Sequence, residues 1–458
     1  MANETVAQMF AGRPLKSLRI EVVEGPDRGK VATAPDRLSV GSAPTNGLVL
    51  SDDTVSRYHV ELIGRDDRVE VVDNGSKNGT WVGSAAIVRG FVTVGTTLRV
   101  GRTVLRVLDG ETFTSELIAG DRLGPVIGQS VVMRGLLAKV QRCAPTTASV
   151  LLTGETGSGK EVVARAIHES STRAGGPFET VDCGSMVENL MVSELFGHEK
   201  GAFTGADRQH IGAFERAHGG SIFLDEIGEL PPSLQTALLG ALERRSFRRV
   251  GGTERINVDV RLISATHRDL RAAVNAGRFR EDLFYRIAVV TLEIPPLRER
   301  RDDIPLLAEH FLRTTGAGAT FDQVFDQEGL SALMAHDWPG NVRELRNVVE
   351  ATLALGSSAL GQERGGAPVE PHLESSGGGG AAPIIGGGGI ALSPLLGLPY
   401  ADARAQLLDQ FEASYLRGLI ERNDGNVAAA AREAQMDRTY LTRLLKKRGV
   451  KTRRDFPE

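Results

Sequence analysis

Leu151-Leu152-Thr153-Gly154-Glu155-Thr156-Gly157-Ser158-Gly159-Lys160-Glu161 is an apolar run that ends in a glycine-rich turn and closes on a lysine. Residues of these types at this spacing make a phosphate cradle. Glycines let successive backbone N–H groups face a triphosphate, the following helix offers its positive N-terminal end, and Lys160 reaches the β and γ phosphates. The flanks agree, because Ala148 to Leu152 reads as a buried strand and Val162 to Ile167 as the helix after the turn. Glu161 stands where many such loops carry a Ser or Thr hydroxyl for Mg²⁺, so the metal must lean on another carboxylate.

That carboxylate follows about 65 residues after Lys160, where the apolar strand Ser221-Ile222-Phe223-Leu224 delivers Asp225 and Glu226. Asp225 is the candidate Mg²⁺ ligand, and Glu226 the residue that orients an attacking water. A strand, a glycine turn, a helix and a second strand ending in paired acids amount to an ATPase site, with ATP and Mg²⁺ as cofactors.

These groups need elements to hold them, and 458 residues with 41% hydrophobic content provide for about three domains. The net charge of −4 excludes a chain that coats nucleic acid along its length, so any DNA contact must be local. Cys143 and Cys183 form neither a disulfide framework nor a metal pattern and read as buried thiols. No run approaches about 18 consecutive apolar residues and Met1 to Leu18 lacks the features of a signal peptide, so a cytoplasmic, non-membrane protein is expected.

From Leu18 to Leu108 short alternating segments separated by Gly, Asn and Asp turns predict an all-β sandwich over 1–112. Within it lie Ser56-Arg57-Tyr58-His59 and Asp73-Asn74-Gly75-Ser76-Lys77-Asn78-Gly79-Thr80-Trp81. On these motifs the segment resembles a forkhead-associated domain. The resemblance implies phosphothreonine recognition by loops at one end of the sandwich, with Ser56 and Arg57 on the phosphate and Asn78 on the peptide backbone. It also implies a phosphothreonine protein or a Ser/Thr kinase as partner. The family usually places an arginine after the glycine that opens the first recognition loop, and here Gly41 is followed by Ser42.

Residues 113–124 are polar, without a clear period, and read as a linker. Over 125–355 strand-like runs alternate with helical patterns, which predicts a mostly parallel sheet flanked by helices, an α/β P-loop ATPase with a helical lid. Between the two ATPase strands stands Gly201-Ala202-Phe203-Thr204-Gly205-Ala206, whose small residues around one aromatic make a poor core strand and a good exposed loop. This loop resembles the signature of bacterial enhancer-binding proteins, the AAA+ activators of sigma-54 RNA polymerase. The similarity extends through Gly212 to Gly220, Arg261 to Thr266 and Trp338 to Asn347.

The resemblance implies that Gly201 to Ala206 contact sigma-54, with Phe203 and Thr204 touching it. It makes Arg280 and Arg286 arginine fingers acting on the nucleotide of a neighbouring subunit in a homo-oligomeric ring, expected to be a hexamer. Thr266 becomes a polar sensor and Arg343 a sensor of its own subunit's nucleotide. Two positions depart from the usual pattern: Asp182 stands where an asparagine commonly restrains the catalytic glutamate, and His267 where an asparagine often follows Thr266.

Residues 356–399, rich in Gly, Pro and Ser, read as a flexible linker with an end-to-end distance of roughly 35–40 Å. Beyond them, 400–458 carry an apolar helical stripe through Leu416, Leu419 and Ile420, then two short helices whose caps are Asn426 and Asp437. That is an all-α helix-turn-helix pattern, with Leu441, Leu444 and Leu445 facing inward. Arg438, Thr439, Thr442, Arg443, Lys446 and Lys447 are the candidate contacts with double-stranded DNA. Arg438 to Glu458 hold eight Lys or Arg against two acids. The segment resembles the Fis-type DNA-binding domain that ends these activators.

Together these readings describe a transcription activator that binds enhancer DNA and spends ATP on remodelling sigma-54 polymerase. The alternative is a AAA+ remodeller that selects phosphorylated clients, and a weaker one is a phosphopeptide scaffold with a dead ATPase. The Gly201 to Ala206 loop and the basic C-terminal helix weigh against the first. The complete set Lys160, Asp225, Glu226, Arg280 and Arg286 weighs against the second.

Overall fold

The computed structural model describes residues 10–65, 68–315 and 321–355, and, nearer the C-terminus, 415–416, 419–420, 422–423, 426–433, 441 and 445. Two compact units divide at Pro368. The first opens with strands β1 (Phe10–Lys16), β2 (Leu18–Glu24), β3 (Val31–Ala34), β4 (Arg37–Gly41), β5 (Leu48–Val49) and β6 (Val60–Arg65). It continues with β7 (Arg68–Asp73), β8 (Thr80–Val82), β9 (Ala85–Ile87), β10 (Arg89–Val92), β11 (Thr97–Val100) and β12 (Thr103–Leu108). One sheet runs β10-β7-β6-β4-β5 and the other β3-β2-β12-β11-β8-β9. The period-two apolar positions Ile20, Val22, Val40, Leu62, Val71, Leu98, Val100 and Leu105 fill the space between them. The expected sandwich is present.

The stretch expected to be a linker carries a strand, β13 (Thr112–Ile118), which pairs antiparallel with β1 along seven register positions from Phe10↔Ile118 to Lys16↔Thr112. A short ribbon of β14 (Arg122–Leu123) and β15 (Val126–Ile127) leads into helix α1 (Val131–Cys143), whose cap Ser130 accepts from Met133 N.

The ATPase sheet is five-stranded and entirely parallel, in the order β17 (Phe178–Asp182), β18 (Ser221–Asp225), β21 (Arg261–Thr266), β16 (Val150–Thr153) and β22 (Val290–Glu293). A two-stranded piece, β19 (Ser246–Phe247) with β20 (Ile256–Asn257), lies apart from it. Parallel strands covered on both faces should read as unbroken apolar runs, and Val150-Leu151-Leu152 and Ile222-Phe223-Leu224 are fully buried. Arg261, a charged residue buried on β21, donates from its guanidinium to the carbonyls of Cys143 (3.0 Å) and Ala144 at the end of α1. Both cysteines are buried and unpaired, and burial pushes the Cys183 thiol up to about 12.

Around the sheet stand α2 (Lys160–Glu169), α3 (Glu188–Phe196), α4 (Ala213–Arg216), α5 (Pro232–Arg244), α6 (Leu270–Asn275) and α7 (Glu281–Ile287). The lid follows as α8 (Ile304–Thr314), α9 (Phe321–Val324), α10 (Gln327–Ala335) and α11 (Asn341–Leu355), packed around Leu307, Leu312, Leu333, Leu345 and the fully buried Trp338. Asp269 caps α6 by accepting from Arg271 N (2.9 Å) and Ala272 N (3.0 Å), worth about 1 kcal/mol. This cap fixes the helix against which the sandwich leans: Asn275, its last residue, donates to the carbonyls of Tyr58 (2.7 Å) and Asn74 (3.0 Å).

In the second unit, α12 (Val427–Glu433) packs Ala430 and Ala431 against Leu416, Leu419, Ile420, Leu441 and Leu445. Asn426 Oδ1 accepts from Ala429 N (3.2 Å), so the expected cap is in place. Residues 356–399, Leu444 and all six candidate DNA contacts, Arg438, Thr439, Thr442, Arg443, Lys446 and Lys447, lie outside the described residues.

Candidate functional site: a phosphate loop under a lid

Strand β16 ends at Thr153, and the chain turns through Gly154, Gly157 and Gly159, all at positive φ, before α2 begins at Lys160. The glycines are required by contact as well as conformation. A Cβ at Gly157 would lie 2.4 Å from the Gly340 carbonyl, and one at Gly154 would lie 2.8 Å from that of Ile294. At Gly159 the space is open. Ser158 presents a buried hydroxyl without a protein partner. Such a loop, with a free hydroxyl beneath it and a helix N-terminus behind it, fits the polyphosphate of a nucleoside triphosphate.

Lys160 is buried and donates to the carbonyls of Gly154 (3.1 Å) and Glu155 (3.3 Å), so its ammonium is folded into the loop. Its Nζ also stands 3.6 Å from Glu226 Oε1. Asp225, at the end of β18, accepts from the Glu226 N–H (3.0 Å), and burial pushes its carboxyl above the usual carboxylate range. Glu161 faces outward and pairs with Arg165 at 3.7 Å, one helical turn on. Thr266, fully buried at the end of β21, accepts from Arg268 N and gives its carbonyl to Gly154 N.

Glu226 has left-handed backbone geometry, with φ 51°. Its Oε2 is held by the His267 side chain (Nδ1, 2.7 Å) and by the His267 N–H (3.2 Å). Asp182 turns away, accepting from Gly184 N at 2.8 Å. Of the two departures in the sequence, His267 contacts Glu226 and Asp182 bonds Gly184 instead. A carboxylate at 182 has no proton to offer Glu226, and the imidazole at 267 has one.

The lid closes on the loop through contacts that the motifs do not specify, with Arg298 and Arg300 lying outside those motifs. The Gly157 carbonyl accepts from Val342 N (3.0 Å) and Arg343 N (3.3 Å). Asn341, at φ 55°, accepts from Leu297 N and donates to Glu155 Oε2 (3.0 Å) and the Thr156 carbonyl (3.2 Å). Arg298 grips the Glu155 carboxylate at 2.6 and 2.9 Å, and Arg300, buried beneath, donates to the Ser158 carbonyl. Burial pulls the Arg300 guanidinium down to about 10. The available sequence signal for this clamp was the Pro339-Gly340-Asn341 run at a helix start, where asparagine readily adopts the left-handed region seen here. Arg343 itself is exposed on the first turn of α11.

Arg280 and Arg286 are both exposed. Arg280 forms a fork with Asp282 at 2.6 and 3.0 Å, and Arg286 donates to the Leu242 carbonyl. Asp282 and Leu242 both lie outside the chain's own phosphate loop. Gly201 to Ala206 form a tight turn closed by Gly201 N to Ala206 O (2.8 Å) and Ala206 N to Phe203 O (3.0 Å). The Phe203 ring is 43% exposed and rests edge-on against His198, which in turn holds Ser193 and the Arg208 carbonyl.

At the end of the sandwich, Ser56 Oγ accepts from Lys77 N (2.9 Å) and Asn78 donates to the Thr54 carbonyl (2.7 Å), so the two loops are tied together. His59, wholly buried, accepts from Ser56 N and bonds the Gly79 carbonyl, and burial depresses its pKa. Ser42 donates to the Val55 carbonyl. Arg57 reaches out of the sandwich altogether, to Glu281 (3.0 Å) and the Val274 carbonyl (2.9 Å).

Comparison with known proteins matches residues 126–293 to the sigma-54 interaction domain, 298–363 to the AAA+ ATPase lid domain, and 21–111 to the cytoplasmic domain of an inner membrane component of the T3SS. The transcriptional regulatory protein ZraR of Escherichia coli (strain K12) is 43% identical over 318 residues, 69% of this chain and 67% of that protein. GlrR of the same strain is 43% identical over 335 residues, 73% of this chain and 70% of that one. Among solved structures, NtrX from Brucella abortus in complex with ATP is 37% identical, covering 72% of this chain and 71% of that one, with a TM-score of 0.47. The forkhead-associated domain of CT664 from Chlamydia trachomatis is 29% identical over 21% of this chain and 99% of that one, with a TM-score of 0.20. With a sigma-54 interaction domain joined to its lid, and relatives matched over two thirds of their length, the chain belongs to the family of sigma-54-dependent transcriptional activators.

Proposed function

We propose that this protein hydrolyses ATP in an oligomeric ring, expected to be a hexamer, and uses the cycle to remodel the closed promoter complex of sigma-54 RNA polymerase. The observation that carries the reading is one glutamate held from two sides, Glu226 by His267 at 2.7 Å and by Lys160 at 3.6 Å, at the mouth of a lid-clamped glycine loop. Bound ATP supplies the phosphoryl group whose transfer to water drives the machine, with Mg²⁺ as its counter-ion. Gly154 to Lys160 cradle the phosphates, Asp225 holds the metal, and Glu226 orients the water. Thr266 and Arg343 sense the nucleotide in their own subunit, while Arg280 and Arg286, facing outward, complete a neighbour's site. Gly201 to Ala206 touch sigma-54.

The sandwich reads a phosphothreonine protein with Ser56, Arg57 and Asn78, and residues 400–458 hold enhancer DNA in the cytoplasm. Among the described residues no helix is long and apolar enough to cross a membrane. Thr204→Ala separates the ATPase from its target. Its hydroxyl is exposed at the tip of a turn closed by backbone bonds, so hydrolysis is expected to persist while open-complex formation on a sigma-54 promoter is lost. Promoter opening at wild-type rate by that variant would refute the assignment of the loop.

A further inference from the structure

Arg57 and Tyr58 belong to the loop between β5 and β6, and Asn74 and Gly75 to the loop between β7 and β8, the same loops that carry Ser56 and Asn78. All four meet the ATPase domain. Arg57 Nη1 pairs with Glu281 at 3.0 Å and its Nη2 donates to the Val274 carbonyl at 2.9 Å. Tyr58 N donates to Asn275 Oδ1, Asn275 returns bonds to the Tyr58 and Asn74 carbonyls, and the buried Tyr58 ring stands edge-on to Phe284 at 5.4 Å. A Cβ on Gly75 would lie 3.9 Å from the Cβ of Ala272. Lys77 and Asn78 stay exposed beside this contact.

Chemistry singles out Arg57 among these groups. Ser42 brings a hydroxyl to the first recognition loop, and that hydroxyl is spent on the Val55 carbonyl. Cationic contacts to a phosphate from these loops must then come from Arg57 and Lys77. In the folded chain the Arg57 guanidinium already has an anion, the Glu281 carboxylate, and a carbonyl on its other arm.

We propose that Glu281 occupies the position of a phosphate on Arg57, so that a phosphothreonine ligand and the ATPase domain compete for one guanidinium and exclude each other. This rests on the reading of the sandwich as a phosphothreonine reader. Glu281 directly follows Arg280 and opens α7, the helix that carries Arg286, so a ligand that takes Arg57 also frees the segment that presents both arginines. Tyr285, which donates to the other oxygen of Glu281 at 2.7 Å, keeps that carboxylate in place for the competition.

The test is a reversible lock on the full chain. Gly75→Cys with Ala272→Cys places two thiols at Cβ spacing suited to a disulfide, about 3.5–4.5 Å, and the native Cys143 and Cys183 are buried. The probes are a pool of phosphothreonine peptides with randomised flanks and its unphosphorylated twin, followed by fluorescence anisotropy. The oxidised protein should bind the phosphorylated pool about ten- to hundredfold more weakly than the same protein reduced, the worth of one charge-assisted contact. Asn275→Ala and Glu281→Gln, which loosen the docked state while every residue of the peptide loops stays unchanged, should bind it more tightly than wild type. They should also speed hydrogen exchange over Val274 to Ile287.

Equal affinity in oxidised and reduced protein, or no gain in either single variant, overturns the competition while the phosphothreonine reading stands. Failure of the cysteine pair to oxidise overturns the docked arrangement itself. Equal binding of both pools by every form overturns the phosphothreonine reading and this inference with it.

Discussion

His267 Nδ1 lies 2.7 Å from Glu226 Oε2, and its backbone N–H lies 3.2 Å from the same oxygen. If Glu226 aims the attacking water as proposed, that carboxylate is fixed by the residue that follows Thr266, on the neighbouring strand's end. His267→Ala should lower kcat for ATP about ten- to hundredfold with KM little changed, the pattern of lost positioning and intact binding. His267→Asn, which can still donate, should recover much of the rate. Steady-state ATPase assays separate the two, and a change confined to KM would show that the imidazole serves nucleotide binding instead.

Arg280 and Arg286 point to solvent, with Asp282 and the Leu242 carbonyl as partners. Turnover per subunit should therefore rise with protein concentration until rings form. Mixing Glu226→Gln subunits with Arg286→Ala subunits should restore part of the activity neither has alone. Turnover that is flat across the assembly range would contradict action between subunits.

Asn341 is buried, sits at φ 55°, and satisfies Leu297 N, Glu155 and the Thr156 carbonyl together. Asn341→Ala leaves the Leu297 N–H unpaired and removes the polar side chain that offsets a left-handed backbone, a loss of about 1–3 kcal/mol. The expected readout is a lower unfolding temperature and weaker nucleotide binding, measured by calorimetry. Asn341→Gly relieves the backbone strain and should fall between the two.

Asp52 is wholly buried in the sandwich. Burial works against its charge, but Thr54 N and Oγ1, Arg102 N and Thr103 Oγ1 all donate to it and hold its carboxyl far below the usual carboxylate range. Because the folded pKa is the depressed one, this stabilisation is complete above the unfolded value of about 4 and drains away as pH falls below it. Asp52→Asn should cost about 2–3 kcal/mol at neutral pH, since an amide cannot accept all four bonds. The gap to wild type should narrow on acidification, which denaturant titrations at pH 7 and pH 3 would measure.

The inner strands of the ATPase sheet were legible because they announce themselves locally: Val150 to Leu152 and Ile222 to Leu224 are apolar runs that end in the residues of the site, whereas the half-buried edge strands β17 and β22 carry no such run. The Gly201 to Ala206 turn and the Asn426 cap were legible for the same reason. What escaped is what depends on distant partners. Arg57 reads as a loop cation, and nothing within its own loop announces that its anion lies 224 positions away at Glu281. Glu155 reads as a filler of the glycine loop until Arg298 and Asn341 are brought to it by the lid. Thr112 to Ile118 has too little apolar alternation to look like a strand, and it becomes one because β1 returns to supply its hydrogen bonds.

That last pairing changes what counts as one exchangeable part. The two strands that meet in it come from opposite ends of the sandwich, one before β2 and one after β12, and β13 then lies along α1, where Arg134 donates to the Ile118 carbonyl and Arg142 pairs with Glu116. A sandwich joined this way has no single cut point. Grafting residues 18–118 alone onto another ATPase would leave β1 behind and carry β13 across as an unmatched strand with bare N–H and C=O groups. Recombination that swaps the N-terminal sandwich between activators of this kind must carry both strands across together, and the seam it has to respect runs between residues 118 and 122.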